Sequence, residues 1–66
     1  MTKYIIIEKK DYQYSTPHVT VVDNECYDKE TAEAVLKVCQ LKNKNLNVDF
    51  YMVELKPEQL TLFKVA

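Results

Sequence analysis

The chain has no glycine, no tryptophan and no arginine, and only one histidine and two prolines among its 66 residues. Without glycine it has no flexible backbone cradle for a phosphate or an oxyanion, and its turns must be built from Asn, Asp and Pro. Without arginine it cannot grip phosphate or carboxylate with a planar two-pronged donor, since all nine basic residues are lysine. His18, Cys26 and Cys39 make no pair at C-x2-C or H-x3-H spacing, which argues against a zinc site. Neither thiol has a base and oxyanion cradle beside it in sequence, and no Ser/His/Asp set is visible. The expectation is a protein without catalysis, cofactor or metal.

Long hydrophobic runs are missing too. They stop at four residues, as in Phe50–Val53, far short of a membrane span. The opening Met1–Glu8 lacks the apolar segment of a secretory signal. Two cysteines in such a chain read as reduced thiols in the cytoplasm, with a disulfide as the alternative. The net charge of −1, with acids and lysines interspersed, argues against a dedicated nucleic-acid binder. Five tyrosines keep a base-stacking sheet as an alternative, with Tyr12 and Tyr14 the two expected at the surface.

What is present is apolar content of 47%, enough for one small core. Lys3–Lys9 reads as a strand rich in β-branched residues. Tyr4 to Ile7 is apolar on both pleat faces, so something other than the helix should cover the second face. Asp11–Pro17 reads as a loop, His18–Val22 as a second strand, and Asp23-Asn24-Glu25 as turn or bulge chemistry. Asp28 is a good helix N-cap, with Tyr27 and Ala32 placed to staple the first turn. Ala32, Val35, Leu36 and Cys39 form the inner stripe, and Asn43-Lys44-Asn45 ends the helix with a left-handed Asn cap. Leu46–Lys56 is the long last strand, with Leu46, Val48, Phe50 and Met52 on one face and Tyr51, Val53 and Leu55 on the other. Pro57 stops it, and Lys56–Gln59 fits a type I turn.

The fold class expected is α+β: a small antiparallel sheet of three to four strands with one helix packed on it, in the order β-β-α-β with an optional fourth strand. Residues 1–56 form the compact domain, and 57–66 a C-terminal tail or short strand. Ala34, Val38 and Leu41 widen the apolar arc of the helix beyond what one sheet contact needs, and Tyr51 and Val53 load the second strand face. Val38, Leu41, Tyr51 and Val53 are therefore candidates for a second interface, and a homodimer is the simplest way to cover them.

The last informative stretch is Gln59-Leu60-Thr61-Leu62-Phe63. The string QLTLF resembles the QL(S/D)LF pentapeptide by which many bacterial polymerases, repair proteins and replication regulators dock on the β sliding clamp. By chance, Gln-Leu-x-Leu-Phe should occur in about one chain in a thousand of this length. The resemblance implies that Gln59 hydrogen-bonds in a small polar subsite, Leu60 holds an extended backbone, and Leu62 and Phe63 fill a hydrophobic pocket. Thr61 departs from the commoner Ser or Asp at the position least concerned with that pocket. The body of the chain, with its Tyr-Asp-Lys-Glu-Thr-Ala-Glu helix opening and Val-Asp-Phe-Tyr-Met-Val-Glu strand, resembles small proteins of phages and mobile elements. Two functions are thus expected from different classes. One is a module that docks on the clamp and regulates or inhibits replication. The other is an inhibitor of a host or defence complex that acts through its sheet or helix surface.

Overall fold

β1 (Lys3–Tyr12) is the central strand of a three-stranded antiparallel sheet, flanked by β2 (Ser15–Val21) and β4 (Val48–Leu55) in a computed structural model that describes residues 2–65. The fold is α+β, with one helix, α1 (Lys29–Lys42), and a separate two-stranded parallel pair made by β3 (Glu25–Cys26) and β5 (Lys64–Val65). The register pairs Ile5 with Val53, Ile6 with Met52, and Ile7 with both Tyr51 and Val21. Because side chains alternate along a strand, Tyr4 and Ile6 point to one face and Ile5 and Ile7 to the other. Each face has its own core. Ile6, Tyr27 and Ala32 pack with Tyr4, Val35, Leu36, Phe50 and Met52 under the helix. Ile5, Cys26 and Leu55 pack with Ile7, Val21, Leu60 and Phe63 on the far side.

The helix begins where its cap predicts. Asp28 accepts a hydrogen bond from the Thr31 N–H at 2.8 Å, and that bond holds its carboxyl below the usual range. Tyr27 and Ala32 are both buried in the same cluster, as a staple requires. Tyr27 also exchanges two backbone hydrogen bonds of 2.8 Å with Tyr4, which ties the helix entry to the central strand. The turn before it uses left-handed backbone at Asp23 (φ 55°) and Asn24 (φ 52°). Asn and Asp carry the smallest penalty there after glycine, so they take glycine's role in a chain that has none.

Four expectations are corrected. Residues 11–17 are not a loop: β1 runs to Tyr12 and β2 starts at Ser15, so only Gln13 and Tyr14 form the turn. Pro17 is accommodated because β2 is an edge strand, where a missing N–H costs no ladder bond. Val22 leaves the strand and opens a 3-10 turn, Val22–Asn24. The helix end is not left-handed, because Asn43 is extended (φ −85°, ψ 121°). Its side chain builds the exit instead, donating to the carbonyls of Asn45 (3.2 Å) and Val48 (3.0 Å) and accepting from the Asn45 N–H (3.2 Å). Asn45 repeats the device, its side chain accepting from the Asn47 N–H at 2.9 Å. That run of Asn contacts holds residues 43–47 as a connection, so Leu46 is 97% exposed and lies outside the strand assigned to it.

Candidate functional site

The C-terminal segment is neither a free extended tail nor a third flank of the main sheet. Pro57–Leu62 forms a six-residue 3-10 helix with Pro57 at its start, where a missing N–H is harmless. Gln59 closes it twice. Its N–H donates to the Lys56 carbonyl at 2.9 Å, and its Oε1 accepts from the Lys56 N–H at 2.9 Å. A 3-10 helix repeats every three residues, so positions i and i+3 share a face. Leu60 and Phe63 therefore both turn inward, onto the Ile5, Cys26 and Leu55 cluster. Leu62 falls on the outer side and is 65% exposed, with Thr61 exposed beside it. After Phe63 the chain runs parallel to β3, Lys64 opposite Glu25 and Val65 opposite Cys26.

The four docking candidates are thus close in sequence but not presented together. Leu60 and Phe63 are half-buried against their own domain, Gln59 is half-buried with its side chain folded back on Lys56, and Leu62 faces solvent. They also supply what the sequence left open: the C-terminal segment is the cover on the second face of β1.

The four candidates for a second interface fall into two separate patches. Val38 and Leu41 are exposed on the outer side of α1. Tyr51 and Val53 share the sheet face of Ile5 and Ile7, opposite the one that α1 covers. On that face the register adds Val19, two residues along β2 from Val21. Val19, Tyr51 and Val53 are 55%, 48% and 38% exposed, so the half of the sheet that the C-terminal segment does not reach is open and apolar. Sequence reasoning passed over Val19, although the alternation of Val19 and Val21 was the signal for it.

A shallow groove of about 360 Å³ separates the first 3-10 turn from α1, lined by Val22, Asp23, Val35, Val38, Cys39 and Lys42. Burial, with Asp23 and Glu8 nearby, pushes the Cys39 thiol up, against a smaller opposing effect of Lys42. A thiol held in its protonated form is a weak nucleophile. Burial likewise raises the Tyr27 hydroxyl, helped by Asp23 and Glu25. Both cysteines are free, Cys26 buried and Cys39 half-buried. Among the described residues no group of three or more His, Cys, Asp or Glu could hold a metal ion.

Tyr12 and Tyr14 are exposed at the tip of the first hairpin, as expected, with Tyr14 almost fully in solvent. The lysines leading to that tip sit beside acids, Lys9 at 3.9 Å from Asp11 and Lys10 at 3.4 Å from Glu8. Aromatic faces without an accompanying basic groove make a poor track for a phosphate backbone. Among the described residues no helix is long and apolar enough to cross a membrane. Comparisons with family models, curated proteins and solved structures returned no match for the chain.

Proposed function

We propose that this chain is a cytoplasmic, non-catalytic interaction module that docks on the bacterial β sliding clamp through Gln59, Leu60, Leu62 and Phe63 and so regulates or inhibits replication. The observation that supports this reading is Leu62. It is a large apolar side chain in the middle of the docking string, and the fold leaves it 65% exposed while Leu60 and Phe63 on either side pack inward. A fold that needed these residues only for its core would gain nothing from a leucine there. Short segments with two apolar anchors bind at about micromolar Kd. The test is a titration of purified β clamp with a synthetic peptide of residues 56–66, which carries the whole docking string. A saturable isotherm in that range, displaced by a known clamp-binding peptide, is the expected result, and no binding at hundred-fold higher clamp concentration (an order-of-magnitude ceiling on what such a segment delivers) overturns the reading.

A second reading is carried by the open sheet face. Val19, Tyr51 and Val53 would make the contact in an inhibitor of a host or defence complex, with QLTLF serving the fold alone. A second copy of the chain, seated on this face or on Val38 and Leu41, is the simplest cover for either patch. Sedimentation at micromolar concentration should then give a homodimer, and Val38→Glu should dissociate it if the helix patch is used, because an unpaired charge in an interface is costly. A monomer across the whole concentration range removes the dimer.

A further inference from the structure

Of the four residues that the docking string would offer to a partner, Leu60 and Phe63 pack on their own domain and Gln59 holds the turn they stand on. Gln59 uses both its backbone N–H and its side-chain oxygen on Lys56, each at 2.9 Å. Leu60 and Phe63 are spent on Ile5, Cys26 and Leu55. The pairing of β5 with β3 then anchors the chain just beyond Phe63. We infer that residues 57–65 form an intramolecular lock, in which the docking string is latent while the segment lies on the sheet and becomes available only when it peels away. This inference rests on the clamp-docking reading.

The closed geometry is incompatible with docking for a simple reason. A 3-10 helix advances about 2.0 Å per residue, whereas an extended peptide advances about 3.3 Å. In the closed form Leu62 and Phe63 also point to opposite sides, so they cannot enter one pocket together. Opening is feasible because little holds the segment: a two-residue strand, six residues of 3-10 helix, one side-chain hydrogen bond, and the half-buried Leu60 and Phe63 on the Ile5, Cys26 and Leu55 cluster. Such segments lie at the low end of local stability. When only a fraction of molecules is open, the apparent affinity falls by that fraction. The lock thus sets how tightly the protein docks, and anything that weakens it raises affinity without touching the contact residues.

Lys56→Pro isolates the lock. The native φ of Lys56, −76°, suits proline, and Leu55 before it is extended, as the residue preceding a proline must be. The Lys56 carbonyl still accepts from Gln59. Of the backbone contacts only the N–H bonded to the Gln59 side chain is lost, along with the exposed Lys56 side chain, and no residue of the docking string changes. Clamp affinity is to be measured for the full chain, for the full chain with Lys56→Pro, and for a synthetic peptide of residues 56–66, which has no domain to fold onto. The substitution is expected to tighten binding about fivefold, the weight of one capping contact, and the peptide to bind about tenfold or more tighter than the intact chain. Hydrogen exchange at the amides of residues 60–63 should accelerate in the Lys56→Pro chain. Equal affinities of wild-type chain and peptide overturn the lock and leave docking intact. A peptide that does not bind the clamp overturns docking itself, and the lock's role with it. If Lys56→Pro loses the domain's thermal transition, the comparison of wild-type chain with peptide decides alone.

Discussion

Ile6→Ala is expected to remove the cooperative unfolding transition of this chain at physiological temperature. Ile6 is 0% exposed at the middle of the central strand, paired with Met52 and packed with Tyr27 and Ala32 beneath the helix. Truncating a fully buried isoleucine costs about 2–5 kcal/mol in lost transfer energy and residual cavity. A chain of this size has about 3–10 kcal/mol in total, so one side chain accounts for a large share of its stability. Urea unfolding followed by far-UV circular dichroism is the measurement. Val19→Ala is the matched control: it lies on the open sheet face, and the expected change is within about 0.5 kcal/mol. An Ile6→Ala midpoint as high as that of the control would show that the core is not under the helix.

The difference between these two positions was legible in part. Tyr4 to Ile7 announces a strand buried on both faces, and the Asp28 cap with the Ala32, Val35, Leu36 stripe announces which element covers one of them. Leu36 itself is only half-buried, so its truncation should cost less than that of Ile6. That the other cover comes from the C-terminal segment stayed open in the sequence, where Leu60, Leu62 and Val65 could equally close the core or form a final strand. Pro57, Leu60 and Phe63 repeat every three residues, a 3-10 period, but a segment that short gives periodicity little weight against the more familiar turn-then-tail pattern. Pro17 looks like a loop residue until β2 is known to be an edge strand, a fact of topology that no local pattern carries, so the sequence draws the hairpin turn too wide. The helix exit is ambiguous for a related reason: an Asn can end a helix by its backbone or by its side-chain hydrogen bonds, and only the partners at Asn45 and Val48 decide between them. The candidate site shows the same division. Residue identity nominated Gln59, Leu60, Leu62 and Phe63 together, whereas the fold turns Leu60 and Phe63 inward, folds Gln59 back on Lys56 and leaves Leu62 facing out.

That split makes the single substitutions more telling than a double one. Leu62→Ala is expected to weaken clamp binding by tenfold or more, on the order of an interface anchor, and to leave the unfolding midpoint where it was, because Leu62 packs on nothing in its own domain that the fold depends on. Phe63→Ala is expected to act twice. It should destabilise the domain by about 1–3 kcal/mol, less than a fully buried phenylalanine would, since Phe63 is half-buried against the Ile5 and Leu55 cluster. It should also remove an anchor from the docking contact. In the intact chain the two effects oppose each other, because loosening the segment frees the string even as the anchor is lost, so its net loss of affinity should be smaller than in the free peptide. Replacing both residues should abolish binding, but with a destabilised domain, and for that reason the double variant is not the clean probe of docking. Thr61→Asp, on the exposed side, should keep or modestly raise affinity without moving stability. The decisive comparison is Leu62→Ala in peptide and chain alike. If both bind the clamp as the parent sequences do, Leu62 is no anchor; if neither parent binds the clamp, the open face of Val19, Tyr51 and Val53 becomes the surface through which this protein meets its partner.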